Sequence, residues 1–144
     1  MSRTLYCLLF FFLSLHSSAQ DKVDWNFTYA PSSNLIELKA VIADGWHLYS
    51  QYIDDGIGPI PTAFEFKENS NVTFVGETHE PESIREYDVN FEGELNFFKN
   101  EVVFSQKVIV DQTTEVIGVV TYMVCNEEMC MPPKDEIFRI TINK

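Results

Sequence analysis

The sequence has little positive charge. It contains 10 Lys+Arg against 22 Asp+Glu, which gives a formal net charge of −12 at pH 7. Binding to nucleic acid or to an anionic membrane surface depends on basic patches, so this balance argues against both classes of function. The excess of negative charge is consistent with a protein that stays in solution.

Long apolar runs are absent except near the N-terminus. Leu5–Leu15 is apolar but too short to span a bilayer as a helix, and the small residues Ser17-Ser18-Ala19 follow it. With Arg3 as a positive start, this pattern predicts a signal peptide over residues 1–19. Because Cys7 lies within the run, whereas a lipid-anchoring cysteine would follow it, we expect a soluble exported protein rather than a lipoprotein.

The mature chain, residues 20–144, has the size of one domain and is long enough to bury a core without metals or disulfides. It contains no second apolar run of membrane-spanning length, so we expect it not to cross a membrane by itself. Repeats, linkers and low-complexity segments are also missing. The sequence therefore predicts one domain over residues 20–144.

Helical periodicity is missing as well. Apolar residues alternate with polar ones instead, most clearly in residues 35–44, where one face would carry Ile36, Leu38, Ala40 and Ile42. This alternation is typical of half-buried strands. Roughly eight short strands with turns between them predict an all-β, immunoglobulin-like β-sandwich.

The predicted strands cover residues 25–30, 35–44, 46–52, 62–66, 72–75, 97–110, 115–125 and 136–142. Residues 54–61 are rich in Gly and Pro and are predicted to form a loop. The polar stretch 77–96 is predicted to be a long connection with one helical turn near residues 82–86. Long ordered loops in compact domains are often functional, so this connection is a candidate for part of a site.

Cysteine is scarce. Once the signal peptide is removed, only Cys125 and Cys130 remain, and export would place them in a compartment that permits disulfides. A turn through the four intervening residues could bring the two Cα atoms to disulfide distance, about 5.5 Å. Pro132 and Pro133 follow, and prolines cannot donate ladder hydrogen bonds. The sequence thus predicts a cysteine hairpin.

Spacing alone leaves three roles open for these cysteines. A disulfide closing so small a loop stabilises the fold by only about 2 kcal/mol, and a bridge at a hairpin tip is easy for another thiolate to attack, so redox exchange and a structural staple both remain. Zinc would need His47 and His79 as further ligands, but C-x4-C is a long spacing and neither histidine belongs to an H-x3-H pair. We expect no metal and no organic cofactor.

Acidic residues surround the pair. Glu127 and Glu128 lie between the cysteines, and Lys134 is the only nearby cation. Negative neighbours disfavour thiolate formation. We therefore expect a disulfide that is attacked by a partner, and a dithiol that stays unreactive until a partner docks.

The segment VTYMVCNEEMCMPP resembles the active-site hairpin of the N-terminal periplasmic domain of the thiol:disulfide interchange protein DsbD. DGWHLY, residues 44–49, resembles the strand that lines the cysteine site in that family, and NFEG, residues 90–93, resembles the cap loop whose phenylalanine covers the disulfide. Two departures are a shorter cysteine spacing and the replacement of acidic residues before the cap phenylalanine by Val89 and Asn90. The resemblance spans essentially the whole mature chain and implies an immunoglobulin-like fold in the periplasm.

The resemblance also implies the roles of individual residues. Cys125 and Cys130 would be the exchanging pair, and Phe91 would shield their bond from stray thiols. The residues expected to line the site are Trp46, His47, Tyr49 and Pro132.

A chain with these roles would pass electrons between thiol proteins, as a component of a protein-disulfide reductase. The resemblance implies thioredoxin-like domain proteins and a membrane electron-transfer protein as donors, expected here as separate proteins. It implies periplasmic disulfide isomerases or cytochrome c maturation thiol proteins as acceptors. The rival hypothesis is a secreted immunoglobulin-like binding or adaptor module whose disulfide is only structural.

Overall fold

The computed structural model describes residues 21–54, 56 and 58–144. The regular elements of this part are β-strands, which confirms the predicted all-β class. Within it, no helix is long and apolar enough to cross a membrane. The predicted signal peptide, residues 1–19, lies outside the described residues.

The strands form three antiparallel sheets. In chain order they are β1 (Val23–Ala30), β2 (Leu35–Ile42), β3 (His47–Tyr49), β4 (Ala63–Phe66), β5 (Val72–His79), β6 (Ile84–Asp88), β7 (Gly93–Phe98), β8 (Glu101–Val110), β9 (Thr114–Tyr122), β10 (Val124–Cys125) and β11 (Lys134–Ile142). The strand orders are β1-β2-β8-β5, β11-β9-β4 and β10-β3-β7-β6.

The first two sheets pack face to face as a sandwich. Trp25 of β1 contacts Phe64 of β4 and Tyr122 of β9 edge-on, with ring centroids 5.8 and 5.6 Å apart. Phe27 of β1 stacks on Phe138 of β11 at 4.4 Å. Aromatic pairs of this kind contribute about 0.5–1.5 kcal/mol beyond the burial of their area. The core of the domain therefore lies between these sheets.

Alternation along the strands points side chains into this core as predicted. On β2, Ile36, Leu38 and Ala40 are fully buried and Ile42 is almost so. On β11, the buried residues are Phe138, Ile140 and Ile142, whereas Arg139 and Thr141 are exposed. Because a period of two buries one face of a strand, the buried residues of β2 and β11 could be predicted from the sequence.

The chain connects the third sheet directly to the sandwich at two places. β7 leads into β8 and β9 leads into β10, so the predicted single strands 97–110 and 115–125 are wrong as continuous elements. Asn100, in the first gap, adopts a left-handed conformation with φ 65°, and its carbonyl oxygen accepts the Ile42 N–H at 2.7 Å. These breaks let both strands leave one sheet and enter another.

The predicted connection over residues 77–96 is also wrong. It contains the end of β5, all of β6 and part of β7, and the expected helical turn near residues 82–86 is an edge strand instead. β6 pairs with β7 in the register Ile84↔Phe97 to Asp88↔Gly93. Residues 84–87 are exposed, so the strand carries no apolar alternation and its sequence resembles that of a loop. Pairing with β7 satisfies the backbone groups on one side of β6, which is the last strand of its sheet.

Candidate functional site

The two cysteines form a disulfide at one edge of the third sheet. Cys125 ends β10 and pairs with His47 of β3, and it forms an isolated antiparallel bridge with Cys130. Their sulfur atoms are bonded, and their Cα atoms lie 4.0 Å apart. The structure thus places the predicted hairpin at the end of β10, beside the strand that carries His47 and Tyr49.

Backbone hydrogen bonds hold this hairpin closed. The Asn126 N–H donates to the Met129 carbonyl oxygen and the Met131 N–H donates to the Val124 carbonyl oxygen, both at 2.9 Å. The side chain of Asn126 adds an Asx turn, because its Oδ1 accepts the N–H groups of Glu128 at 2.9 Å and Met129 at 2.8 Å. Asn126 therefore organises the four-residue turn between the sulfurs.

The two cysteines differ in exposure. Cys125 is completely buried, whereas Cys130 is only partly buried and the three residues before it are exposed. A thiolate from solvent must reach a sulfur along the S–S axis before exchange can begin. Cys130 is the more exposed of the two cysteines and is therefore the better candidate for this attack.

A small apolar cluster surrounds the bond, separate from the sandwich core. Its fully or almost fully buried members are Tyr49, Leu95, Phe97 and Cys125, and its partly buried members are Ile53, Phe91, Met123 and Cys130. We call this set the cysteine cluster. It brings together four residues that the sequence singled out: both cysteines, Tyr49 and Phe91.

Phe91 reaches the cluster from the turn between β6 and β7. This turn, residues 89–92, is called the cap loop below. The Phe91 ring meets the Tyr49 ring edge-on, with centroids 5.9 Å apart. Asn90 Nδ2 donates to the carbonyl oxygen of Asn126 at 2.8 Å, so the cap loop is also bonded to the cysteine hairpin.

Asp88 lies beneath the cap loop and was not predicted as a site residue. Its side chain is fully buried. Oδ1 accepts the N–H groups of Asn90 at 2.8 Å and Phe91 at 3.2 Å, and Oδ2 accepts the Tyr49 hydroxyl at 2.6 Å and His47 Nε2 at 3.0 Å. This one carboxylate therefore ties the cap loop to β3. An Asp two residues before an Asn in a turn is a pattern from which such a role could have been read.

Burial and hydrogen bonding determine the protonation states of Asp88, His47 and Tyr49. Burial alone would raise the pKa of Asp88, but hydrogen bonds from Tyr49, Asn90, Phe91 and His47 outweigh it and hold the pKa below its usual range. Burial lowers the pKa of His47, although Asp88 opposes the shift. Burial and the hydrogen bond to Asp88 raise the pKa of Tyr49. At neutral pH, Asp88 is ionised, Tyr49 keeps its proton, and neutral His47 carries its proton on Nε2.

Trp46 and Pro132 lie farther from the cysteine cluster. Trp46 is partly buried and packs against the sandwich core, with the Lys22 ammonium 5.2 Å from its ring centroid. It also lines a groove of about 310 Å³ that His47, Asp88 and Asn126 share. Pro132 is exposed and borders a smaller pocket of about 90 Å³ with Tyr122 and Met131.

His79, the other histidine considered for zinc, lies on β5 of the sandwich, whereas His47 lies on β3 of the third sheet. Among the described residues, no three potential metal ligands come together. The two sulfurs of the site can undergo thiol–disulfide exchange, and hydrogen-bonded side chains lie near them.

Comparison with known proteins gives one family match. The model of the family described as thiol:disulfide interchange protein DsbD, N-terminal, matches residues 17–142. No curated protein sequence is similar enough to count as a match.

Solved structures share the fold at low sequence identity. The reduced DsbD N-terminal domain of Neisseria meningitidis has a TM-score of 0.62 and 18% identity, covering 85% of this chain and 87% of that chain. The same organism's complex of the DsbD and PilB N-terminal domains gives 0.60 and 17%, covering 81% and 80%. The N-terminal periplasmic domain of ScsB from Proteus mirabilis gives 0.55 and 17%, covering 81% of this chain and 44% of that chain.

Proposed function

The chain belongs to the family of DsbD N-terminal domains, which are thiol:disulfide interchange domains, and from this we propose that Cys125 and Cys130 pass electrons between a thioredoxin-like reductant and oxidised exported proteins. The observation that carries the proposal is a disulfide between buried Cys125 and partly buried Cys130, in a small apolar cluster that also contains Phe91. A structural staple would need neither this separate cluster nor the difference in burial.

The first step is attack on Cys130. A thiolate of the reductant bonds to Cys130 Sγ, the Cys125–Cys130 bond breaks, and Cys125 Sγ leaves with the electron pair and takes up a proton. The reductant's second thiolate then attacks its own first sulfur and releases Cys130 as a thiolate, which is protonated in turn. Two electrons and two protons reach this domain, and the reductant becomes a disulfide. The dithiol performs the reverse sequence on an oxidised substrate.

The cysteine cluster controls when this exchange happens. Cys125 would leave as a thiolate into an apolar, fully buried position, which disfavours the charge. Displacement of Phe91 by a docking protein admits solvent and exposes the bond, whereas a small thiol displaces nothing. The Asn90–Asn126 hydrogen bond must break in the same movement, because it joins the cap loop to the cysteine hairpin.

A protein partner is supported by the fold relatives. The N. meningitidis domain of this fold is known in complex with the N-terminal domain of PilB. For this chain, we propose export to the periplasm by the predicted signal peptide, residues 1–19. There, a thioredoxin-like domain fed by a membrane electron-transfer protein would supply electrons, and disulfide isomerases or cytochrome c maturation thiol proteins would receive them.

Covalent trapping tests the proposal. Cys125→Ser leaves the accessible Cys130 free, so a mixed disulfide with a thioredoxin-like protein should accumulate in the native host and be identified by mass spectrometry after non-reducing electrophoresis. Cys130→Ser leaves only the buried Cys125 and should trap several-fold less. If neither variant traps a partner and thioredoxin does not reduce the wild-type disulfide, the bond is structural and the domain is a binding module.

A further inference from the structure

Gly58 lies directly against the cap residue. It belongs to the predicted loop over residues 54–61, between β3 and β4, far in sequence from Phe91. A Cβ built on Gly58 would lie 1.8 Å from Cδ1 and 2.3 Å from Cε1 of the Phe91 ring. Carbon atoms that are not bonded approach to about 3.5–4.0 Å. Any side chain at position 58 would therefore occupy space that the closed ring fills.

The backbone does not explain this glycine. Gly45, Gly56 and Gly76 have φ values of 76°, 91° and 69°, a conformation that favours glycine, and a Cβ on any of them would meet nothing within 4 Å. Gly58 shows the opposite combination. Its φ lies outside the left-handed region, and a Cβ on it would collide with the Phe91 ring. Contact with Phe91 is thus the physical reason that a residue without a side chain suits position 58.

The Phe91 side of the contact would move if the two collided. Ile53 packs into the cysteine cluster, and Pro59, the residue after Gly58, is buried, so the backbone next to Gly58 is held in place. Phe91 is only partly buried and projects from a four-residue turn. A side chain at position 58 would accordingly push the ring out of the cluster and leave the sandwich undisturbed.

We propose that Gly58 is a positioning residue that allows Phe91 to close over the Cys125–Cys130 bond, an inference that rests on the proposed exchange function. The three atoms nearest to a Cβ built on Gly58 all belong to the Phe91 ring, so Gly58 would act through that ring. Gly58 then forms part of the surface against which the Phe91 ring closes, and the residue at position 58 sets how well the disulfide is protected from small thiols.

The test compares a small thiol with a protein thiol. For Gly58→Ala, the rate constant for reduction by glutathione should rise about tenfold or more, as expected if the closed domain opens its cap no more than about 10% of the time. At saturating thioredoxin, the rate constant for exchange within the docked complex should change by less than about threefold, because the bound protein has already displaced the ring in both the wild type and Gly58→Ala. Equal changes in the two rate constants, or none, would overturn the inference.

Gly56→Ala is the matched control. It makes the same chemical change in the same loop and strains the backbone at φ 91°, but its new methyl group meets no atom within 4 Å. Its ratio of the glutathione to the thioredoxin rate constant should stay at the wild-type value. A ratio that rises as far as in Gly58→Ala would assign the effect to loop strain and contradict the role of the ring.

A double-mutant cycle isolates the contact. Phe91→Ala should raise the glutathione rate constant by itself, and Gly58→Ala added to it should raise that rate constant no further. Independent, multiplicative effects would refute the proposal. Phe91→Leu in the Gly58→Ala background should restore part of the protection, since the smaller side chain leaves room for the methyl group.

Circular dichroism decides the case in which Gly58→Ala does not fold. Folding of the Gly58→Ala/Phe91→Ala protein would then still show that the ring is what the methyl group meets, whereas failure of both would overturn the inference. The glutathione measurements need no protein partner. If wild-type protein does not exchange with thioredoxin, the proposed function fails, while the response of the glutathione rate to position 58 is decided separately.

Discussion

Replacing Asp88 by Asn should destabilise the domain, because this one buried carboxylate accepts four hydrogen bonds. Asn keeps an oxygen for the two cap-loop N–H groups but turns an NH₂ group toward the Tyr49 hydroxyl and His47 Nε2–H. Hydrogen bonds to a charged group contribute about 1.5–3 kcal/mol each. Asn disturbs two such bonds, and rotation of the Tyr49 hydroxyl recovers part of the lost energy. We therefore expect the free energy of unfolding to fall by about 2–3 kcal/mol.

Urea unfolding of the oxidised protein measures this loss, with the fluorescence of the buried Trp25 as the signal. Asp44→Asn is the control, since Asp44 is exposed and borders the same groove as Asp88. It removes the same charge and should cost less than about 0.5 kcal/mol. If Asp88→Asn loses no more stability than this control, the carboxylate does not hold the cap loop to β3.

The pH dependence gives a second readout of the same substitution. The folded-state pKa of Asp88 lies below its ordinary value, so its contribution is present above about pH 4 and is lost as the pH falls through the folded pKa. Asp88→Asn should therefore remove part of the acid-induced loss of stability. If the stability of Asp88→Asn fell with decreasing pH as steeply as that of the wild type, the assignment of an ionised Asp88 would be refuted.

Three further predictions follow from the same contacts. His47 has a lowered pKa, so wild-type stability should fall as the pH drops below about 6.5, and His47→Gln should reduce that slope in urea titrations; an unchanged slope would assign it to other groups. Asn126→Ala removes both Asx-turn acceptor contacts and should cost about 1 kcal/mol in urea unfolding, with no loss expected if the disulfide alone holds the turn. Asn90→Ala removes the bond to the cysteine hairpin and should raise the glutathione rate constant about threefold, whereas a rate equal to wild type would mean that Phe91 alone closes the cap.

The sandwich was predictable because its strands bury one face. β2 and β11 alternate strictly, so burial could be read from residues such as Leu38 and Ile140 without knowledge of pairing. β6 lies at a sheet edge with one exposed residue after another, and nothing local separates it from a loop. Breaks at Asn100 and Met123 depend on which sheet each strand joins next, which local sequence does not specify.

The site was predictable only in part. The cysteine hairpin was predicted from the spacing of Cys125 and Cys130, and Phe91 from the resemblance of residues 90–93 to the cap loop of the family; the structure brings the three residues into one cluster. The role of Asp88 depends on its contact with Tyr49, which lies 39 residues away in the sequence. The role proposed for Gly58 depends on its contact with Phe91, which belongs to a different loop. Such contacts become visible only when β3, β6 and the loop after β3 are placed in space.

The existence of two apolar cores has a consequence for the cooperativity of the domain. The cysteine cluster has far fewer buried members than the sandwich core, and the two are connected through the continuous chain at β7–β8 and β9–β10. Regions with few buried contacts open at lower free energy than the rest of a protein. Amides of β3, β6 and β10 should then exchange with solvent deuterium by sub-global opening, well before those of β2 and β8. The region around the cysteine cluster could therefore rearrange when another protein docks, while the sandwich stays folded.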